Sequence, residues 1–175
     1  MAMGGLGRIF TVVRGVAYAA AFVGLWAWLA LSVRRYDTGI AVDVPRWLGP
    51  VGIALASAGA LLAAACVAVF VTRGRGTPAP FDPPRVFIAS GPFRCVRNPM
   101  YVGWFAVILG AGLVFRSPSM LILAVGFLLA AHLLVVLYEE PALIARFGDS
   151  YREYRKSVPR WFITRPKSRG SPRAG

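Results

Sequence analysis

Arg97-Asn-Pro-Met-Tyr-Val-Gly103 opens an apolar segment, Arg116-Ser-Pro118 turns the chain, and Leu137-Tyr-Glu-Glu-Pro141 closes the apolar segment that follows. These three stretches, taken together, decide the fold. A connection as short as Arg116-Ser-Pro118 forces the helices it joins to be antiparallel neighbours. At about 1.5 Å per residue, roughly 16 residues of helix out from Met100 and roughly 21 back from Pro118 return the chain to its starting depth. The hairpin therefore predicts that Glu139 and Glu140 arrive beside Arg97, Asn98 and Tyr101. It spends two of only seven acidic residues at the end of an apolar helix.

The composition around the hairpin sets the solvent. With 57% hydrophobic residues, 15% charged residues and a mean hydropathy of +0.61, 175 residues carry more apolar surface than one soluble core covers. Four stretches lack full charges: Gly15–Val33, Leu48–Thr72, Asn98–Phe115 and Ser117–Tyr138. Each is near the roughly 20 residues a helix needs to cross the hydrocarbon layer, where open sheet edges are not tolerated. The expectation is an all-α, polytopic membrane protein. Its single domain over 1–165 has four transmembrane helices, at 15–33, 48–72, 99–115 and 118–140, and a C-terminal amphipathic segment at 142–160 on the cytoplasmic face. Residues 166–175, rich in Pro, Gly, Ser and basic side chains, are expected to be a disordered tail. Arg8 and Arg14 would suit the start of a signal peptide, but the apolar stretch is long and Ala27-Trp-Leu-Ala30 is a poor cleavage site, so a retained helix is expected.

Basic residues give the orientation. Of 20 Lys and Arg, 16 fall on the side of the N-terminus, the central connector and the C-terminal tail, against four (Arg34, Arg35, Arg46 and Arg116) on the other. This asymmetry puts both termini in the cytoplasm of a bacterial-type inner or plasma membrane. The net charge of +13 then has a lipid explanation, since anionic headgroups attract each nearby Lys or Arg by about 1 kcal/mol. The expected partner is a bilayer with anionic lipids; nucleic-acid binding is not expected. Cys66 falls mid-helix and Cys95 in a loop, so neither a disulfide nor a metal site is expected.

The first two helices, with runs such as Ala17-Tyr-Ala-Ala-Ala21 and Ala56-Ser-Ala-Gly-Ala60, carry small residues that permit close backbone approach and read as scaffold. Thr77-Pro-Ala-Pro-Phe-Asp-Pro-Pro84 cannot be regular helix and reads as a connector. After Pro141, Leu143, Phe147, Tyr151, Tyr154 and Val158 recur at helical spacing among basic residues, a pattern suited to a membrane surface. Gly148 is expected to break this segment, and Ser150-Tyr-Arg-Glu153 fits a capping box that restarts it at Asp149 or Ser150. Trp161 is expected at headgroup level.

Adjacent carboxylates at a helix C-terminus oppose the macrodipole and repel each other, so positive charge must compensate them. Arg97 is the candidate for one; the other carboxylate is then open to a cationic ligand such as an ammonium group, with a solvated boundary or a purely structural pair as the alternative. Asn98 suits a helix cap and Pro99 a first turn. His132 lies on one helix face with Val136 and Glu139 or Glu140, where it serves either a packing hydrogen bond or a substrate slot above the Glu pair. Gly110-Ala-Gly112 lies within an apolar helix, which rules out a dinucleotide or P-loop signature there.

Arg97-Asn-Pro-Met-Tyr-Val-Gly103 resembles the Arg-(His/Asn)-Pro-x-Tyr-x-Gly motif of the integral-membrane methyltransferases that include isoprenylcysteine carboxyl methyltransferase and phosphatidylethanolamine N-methyltransferase. Leu137-Tyr-Glu-Glu-Pro141 looks like their Glu-Glu motif, and Phe147-Gly-x-x-Tyr151-x-x-Tyr154 with Val158-Pro-Arg-Trp161 is similar to bacterial members. The resemblance covers residues 86–165, about half of the chain. It implies S-adenosylmethionine as cofactor, bound by Arg97, Asn98, Pro99, Tyr101, Gly103, Glu139, Glu140, Tyr151 and Tyr154, with Arg97, Glu140 and His132 as the catalytic set. The acceptor it implies is lipophilic: an isoprenylcysteine-type carboxylate, a phospholipid amine or a small thiol. Asn98 stands where many isoprenylcysteine-type members carry His, which bears on substrate class more than on reaction type. A membrane sterol-type reductase using a nicotinamide cofactor, with a related Arg-x-Pro-x-Tyr run, and a non-catalytic lipid-binding protein are the alternatives.

Overall fold

The computed structural model describes residues 5–69 and 89–164. Among these every regular element is a helix, and there is no strand. Helix α1 spans Gly5–Val33, α2 Gly49–Val69, α3 Pro99–Val114, α4 Pro118–Leu134 and α5 Glu140–Ser157. Short 3-10 turns at Arg34–Gly39, Arg46–Leu48 and Gly91–Arg94 lead out of α1, into α2 and towards α3. Helix α1 begins well before the expected Gly15, because Arg8 and Arg14 end the apolar stretch without ending the backbone helix. The Pro-rich connector over 77–84 and the tail over 166–175 lie outside the described residues. Among the described residues, two helical segments are long and apolar enough to cross a membrane, Arg46–Val69 and Pro118–Ser157, and Pro99–Val114 is a shorter apolar helix.

Helices α2 and α3 touch through glycine. Gly52 faces Gly110 and Gly59 faces Gly103, each pair two turns from the other in antiparallel register. A Cβ added at Gly110 would stand 2.5 Å from the Gly52 carbonyl oxygen, and one at Gly103 2.7 Å from that of Gly59, so no larger residue fits without displacing backbone. Phe22 and Trp26 join α1 to α3 and α4: Trp26 meets Phe127 of α4 edge-on at 4.7 Å and Phe22 meets Trp104 of α3 at 5.4 Å, around buried Ile108 and Ala124. The opposite face of α4 is exposed at Ile122, Val125, Leu129 and Leu133, and Leu137, just beyond the helix, continues the same three-to-four-residue spacing.

The α3–α4 turn is closed by its own backbone. Ser117 N–H donates to Gly112 O at 2.9 Å and Arg116 N–H to Leu113 O at 3.2 Å, which ends α3 with Arg116 in the left-handed region at φ 53°. A non-glycine residue there costs about 1 kcal/mol. The Arg116 side chain offsets this by donating to Val44 O at 2.8 Å and Asp43 at 2.6 Å. Asp37 accepts from Ser117 Oγ at 2.9 Å and from Ser119 N–H at 3.0 Å, capping the start of α4 from another segment. Arg34 lies over the Phe115 ring and Arg35 over Tyr36, so these two arginines have local structural partners.

Pro141 does not end the helical run. A π-turn at Val135–Glu139, with Glu140 N–H bonded to Val135 O, joins α4 to α5 and leaves Pro141 in the first turn of α5, where its missing N–H goes unused. Gly148 breaks α5 as expected: its φ of 54° and ψ of −126° are non-helical, so α5 is two helical halves that meet there at a kink.

Candidate functional site

Neighbouring helical residues point about 100° apart. Glu139 and Glu140 therefore reach different partners from the end of the hairpin. Tyr101 OH donates to Glu139 Oε1 at 2.5 Å. Glu140, 5% exposed, is enclosed by guanidinium groups: Arg97 Nη1 donates to Oε1 at 2.7 Å, Arg160 Nε to Oε1 at 2.7 Å and Arg160 Nη2 to Oε2 at 3.0 Å, with Arg155 at 3.7 Å. The carboxylate that accepts from Arg160 raises the already high pKa of that guanidinium against the opposing effect of burial. Glu140 is saturated with cations. Among the described residues Glu139 keeps one oxygen without a hydrogen bond, so it is the better placed of the two to meet a further cation.

A strap over 158–164 closes on this pair. Arg97 N–H donates to Pro159 O at 2.9 Å, and Thr164 donates through N–H and Oγ1 to Cys95 O at 3.0 and 3.1 Å. Asn98, expected as a side-chain cap for α3, makes no cap bond: its Nδ2 donates to Arg160 O at 3.3 Å, because the strap offers a carbonyl on that side. Tyr154 OH donates to Phe93 O at 2.5 Å, and Tyr151 is buried with its ring 6.0 Å from that of Tyr154.

Arg97, Asn98, Tyr101, Glu139 and Glu140 thus meet, with Tyr151 and Tyr154 packed alongside and Pro99 buried at the base of α3. Gly103 instead packs on Gly59 of α2. His132 accepts on Nδ1 from Trp161 Nε1–H at 3.0 Å, which places its own proton on Nε2. Trp161, expected at headgroup level, is anchored by that bond. Arg160 and Arg155 were missed as site residues. The available signal was charge: two adjacent carboxylates at a helix end call for more than one cation, and Val158-Pro-Arg-Trp161 carries one.

Residues 48–150, more than half of the chain, match the phospholipid methyltransferase family, and the chain belongs to it. Protein-S-isoprenylcysteine O-methyltransferase of Xenopus laevis is 37% identical over 75 residues, 41% of this chain and 25% of that protein. The Schizosaccharomyces pombe protein of the same name is 34% identical over 74 residues, 42% and 31% of the two chains. Methanethiol S-methyltransferase of Crocosphaera subtropica is 34% identical over 89 residues, 47% and 29%. The matches thus span about a quarter to a third of the length of these relatives.

Proposed function

We propose that the chain is an integral-membrane, S-adenosylmethionine-dependent methyltransferase acting on a lipophilic acceptor. The observation that carries this reading is the divided Glu pair: Glu140 neutralised by Arg97 and Arg160, Glu139 held by Tyr101 with an oxygen to spare. The donor set fits a cofactor bearing a sulfonium and an ammonium group, which Glu139 would attract, while Arg97 and Arg160 keep the second carboxylate neutralised. Bound there, S-adenosylmethionine supplies an already activated methyl group, so the protein chiefly has to orient the acceptor in line at about 3 Å. Asn98 and the strap it holds limit water at the Glu pair.

The exposed stripe on α4 and the 16-to-4 distribution of basic residues support four membrane crossings with both termini and the Glu pair on the cytoplasmic side. Helix α3, 16 residues and about 24 Å long, is short for a hydrocarbon layer of about 30 Å, so in this arrangement its polar start lies within reach of the bilayer. A lipophilic acceptor then enters from the side. Relatives named for a carboxylate and a thiol acceptor, together with a His132 Nδ1 already engaged by Trp161, favour an acceptor that needs no strong general base.

The test is incubation of the detergent-purified chain with methyl-labelled S-adenosylmethionine and a total lipid extract. Label is expected in a lipid-soluble product. A folded protein that transfers no label to any lipid or small-thiol fraction would overturn the reading.

A further inference from the structure

Helix α5 borders an open cleft of about 410 Å³, lined by Arg97, Ile144, Arg152, Arg155 and Lys156. Four of these five residues are cations. Two carboxylates contact them: Glu140, shared with Arg160, and Asp149, which pairs with Arg152 at 2.7 Å. Positive charge is in excess. Lys156 makes no ion pair among the described residues, and Arg97, whose side chain is only 10% exposed, has a buried Nε without a hydrogen-bond partner. Arg97 thus contributes to the cleft a guanidinium with one N–H that no acceptor among the described residues satisfies.

We propose that this cleft binds the phosphate group of an anionic membrane lipid, held as a resident ligand separate from the methyl acceptor. Arginine forks match the oxygens of a phosphate. A lipid is the fitting source because α5 continues directly from α4, whose exposed Leu129, Leu133 and Leu137 stripe ends about 10 Å along the helix from Ile144. The lining has no aromatic ring on which a nucleic-acid base would stack. The proposal rests on the membrane placement given above and is independent of methyl transfer.

Native mass spectrometry of the full chain, extracted in detergent and titrated with phosphatidylglycerol or phosphatidylcholine, tests it. One phosphatidylglycerol per chain should be retained in preference to phosphatidylcholine. Arg152→Gln combined with Lys156→Gln should weaken retention about 25-fold, roughly fivefold per charge. Arg146→Gln, in the half of α5 before Gly148 and outside the cleft, should retain the lipid, and glycerol phosphate in solution should not displace it. Equal retention of the two lipids, an equal loss in Arg146→Gln, or displacement by glycerol phosphate would overturn the proposal. So would a parallel loss of S-adenosylmethionine affinity in the double variant, which would make the cleft part of the cofactor site. A wild-type chain that keeps phosphatidylglycerol but binds no S-adenosylmethionine would overturn the methyl-transfer reading and leave this one standing.

Discussion

Arg160 and Glu140 form a two-point ion pair across twenty residues, Nε to Oε1 at 2.7 Å and Nη2 to Oε2 at 3.0 Å, and this pair ties the C-terminal strap to the end of the helix hairpin. Arg97, from the opening of α3, bonds the same Oε1, so one buried carboxylate joins three separate segments. Arg160→Ala should lower unfolding stability by about 1.5–3 kcal/mol, the range for hydrogen bonds to charged groups. The value stays below the 3–5 kcal/mol of a fully buried pair because the guanidinium is 26% exposed. Arg160→Lys, which lacks the planar fork, should recover only part of the loss. Thermal unfolding in detergent measures both, and an Ala variant as stable as wild type would remove the strap from the account.

Gly110→Ala should destabilise the fold by about 1–3 kcal/mol, because its methyl group would stand 2.5 Å from the Gly52 carbonyl oxygen. Gly126→Ala on α4, where an added Cβ meets nothing within 4 Å, should show no such loss. Comparing the two unfolding midpoints separates helix contact from a general effect of removing glycine. If Gly103→Ala loses stability as Gly110→Ala does, close packing of α2 on α3 accounts for that residue without a cofactor contact.

Asp37 gives a pH dependence whose sign is fixed. Burial opposes its charge, but the hydrogen bonds from Ser117 and Ser119 outweigh it and hold the pKa below the ordinary carboxylate value. A folded-state pKa below the unfolded one means that the stabilisation is fully present above about pH 4 and is lost as pH falls through the lower folded value. Stability of wild type and Asp37→Asn, followed from pH 6 downwards, should differ at the upper end and converge in acid. A gap that does not change with pH would show that the cap does not depend on the carboxylate charge.

The hairpin was legible because loop length alone constrains it: Arg116-Ser-Pro118 leaves no room for anything but antiparallel neighbours, and from there the meeting of Arg97 with Glu140 follows by counting residues. The strap was not legible. Its anchors are single backbone bonds such as Arg97 N–H to Pro159 O, between residues 62 apart, and no local pattern encodes them. The fate of Asn98 was hidden for the same reason, since a cap and a bond to Arg160 O call for the same side chain. Small residues announced close helix packing, but only the antiparallel register of α2 on α3 pairs Gly59 with Gly103. Pro141 read as a stop; the π-turn before it absorbs the proline and carries the helix through.

His132 separates acceptor classes. A positioned general base contributes roughly 10²–10⁴-fold, and an amine acceptor would need one. For a carboxylate or thiolate acceptor, which reacts as its anion, His132→Ala should lower turnover by less than about tenfold, the loss coming from the missing Trp161 bond. His132→Asn, which still offers an acceptor to the indole N–H, should restore most of it. A loss of a hundredfold or more in both variants, with cofactor affinity unchanged, would instead assign His132 as a base and the acceptor as an amine.

The central claim is that the divided Glu pair holds S-adenosylmethionine, and titration calorimetry of that cofactor into the detergent-purified chain tests it most directly. The account predicts one cofactor bound per chain, with affinity at least tenfold weaker (about 1.4 kcal/mol) in Glu139→Gln and in Glu139→Ala, both variants remaining folded. No heat of binding to a folded wild-type chain, or the same affinity in wild type and both variants, would contradict it.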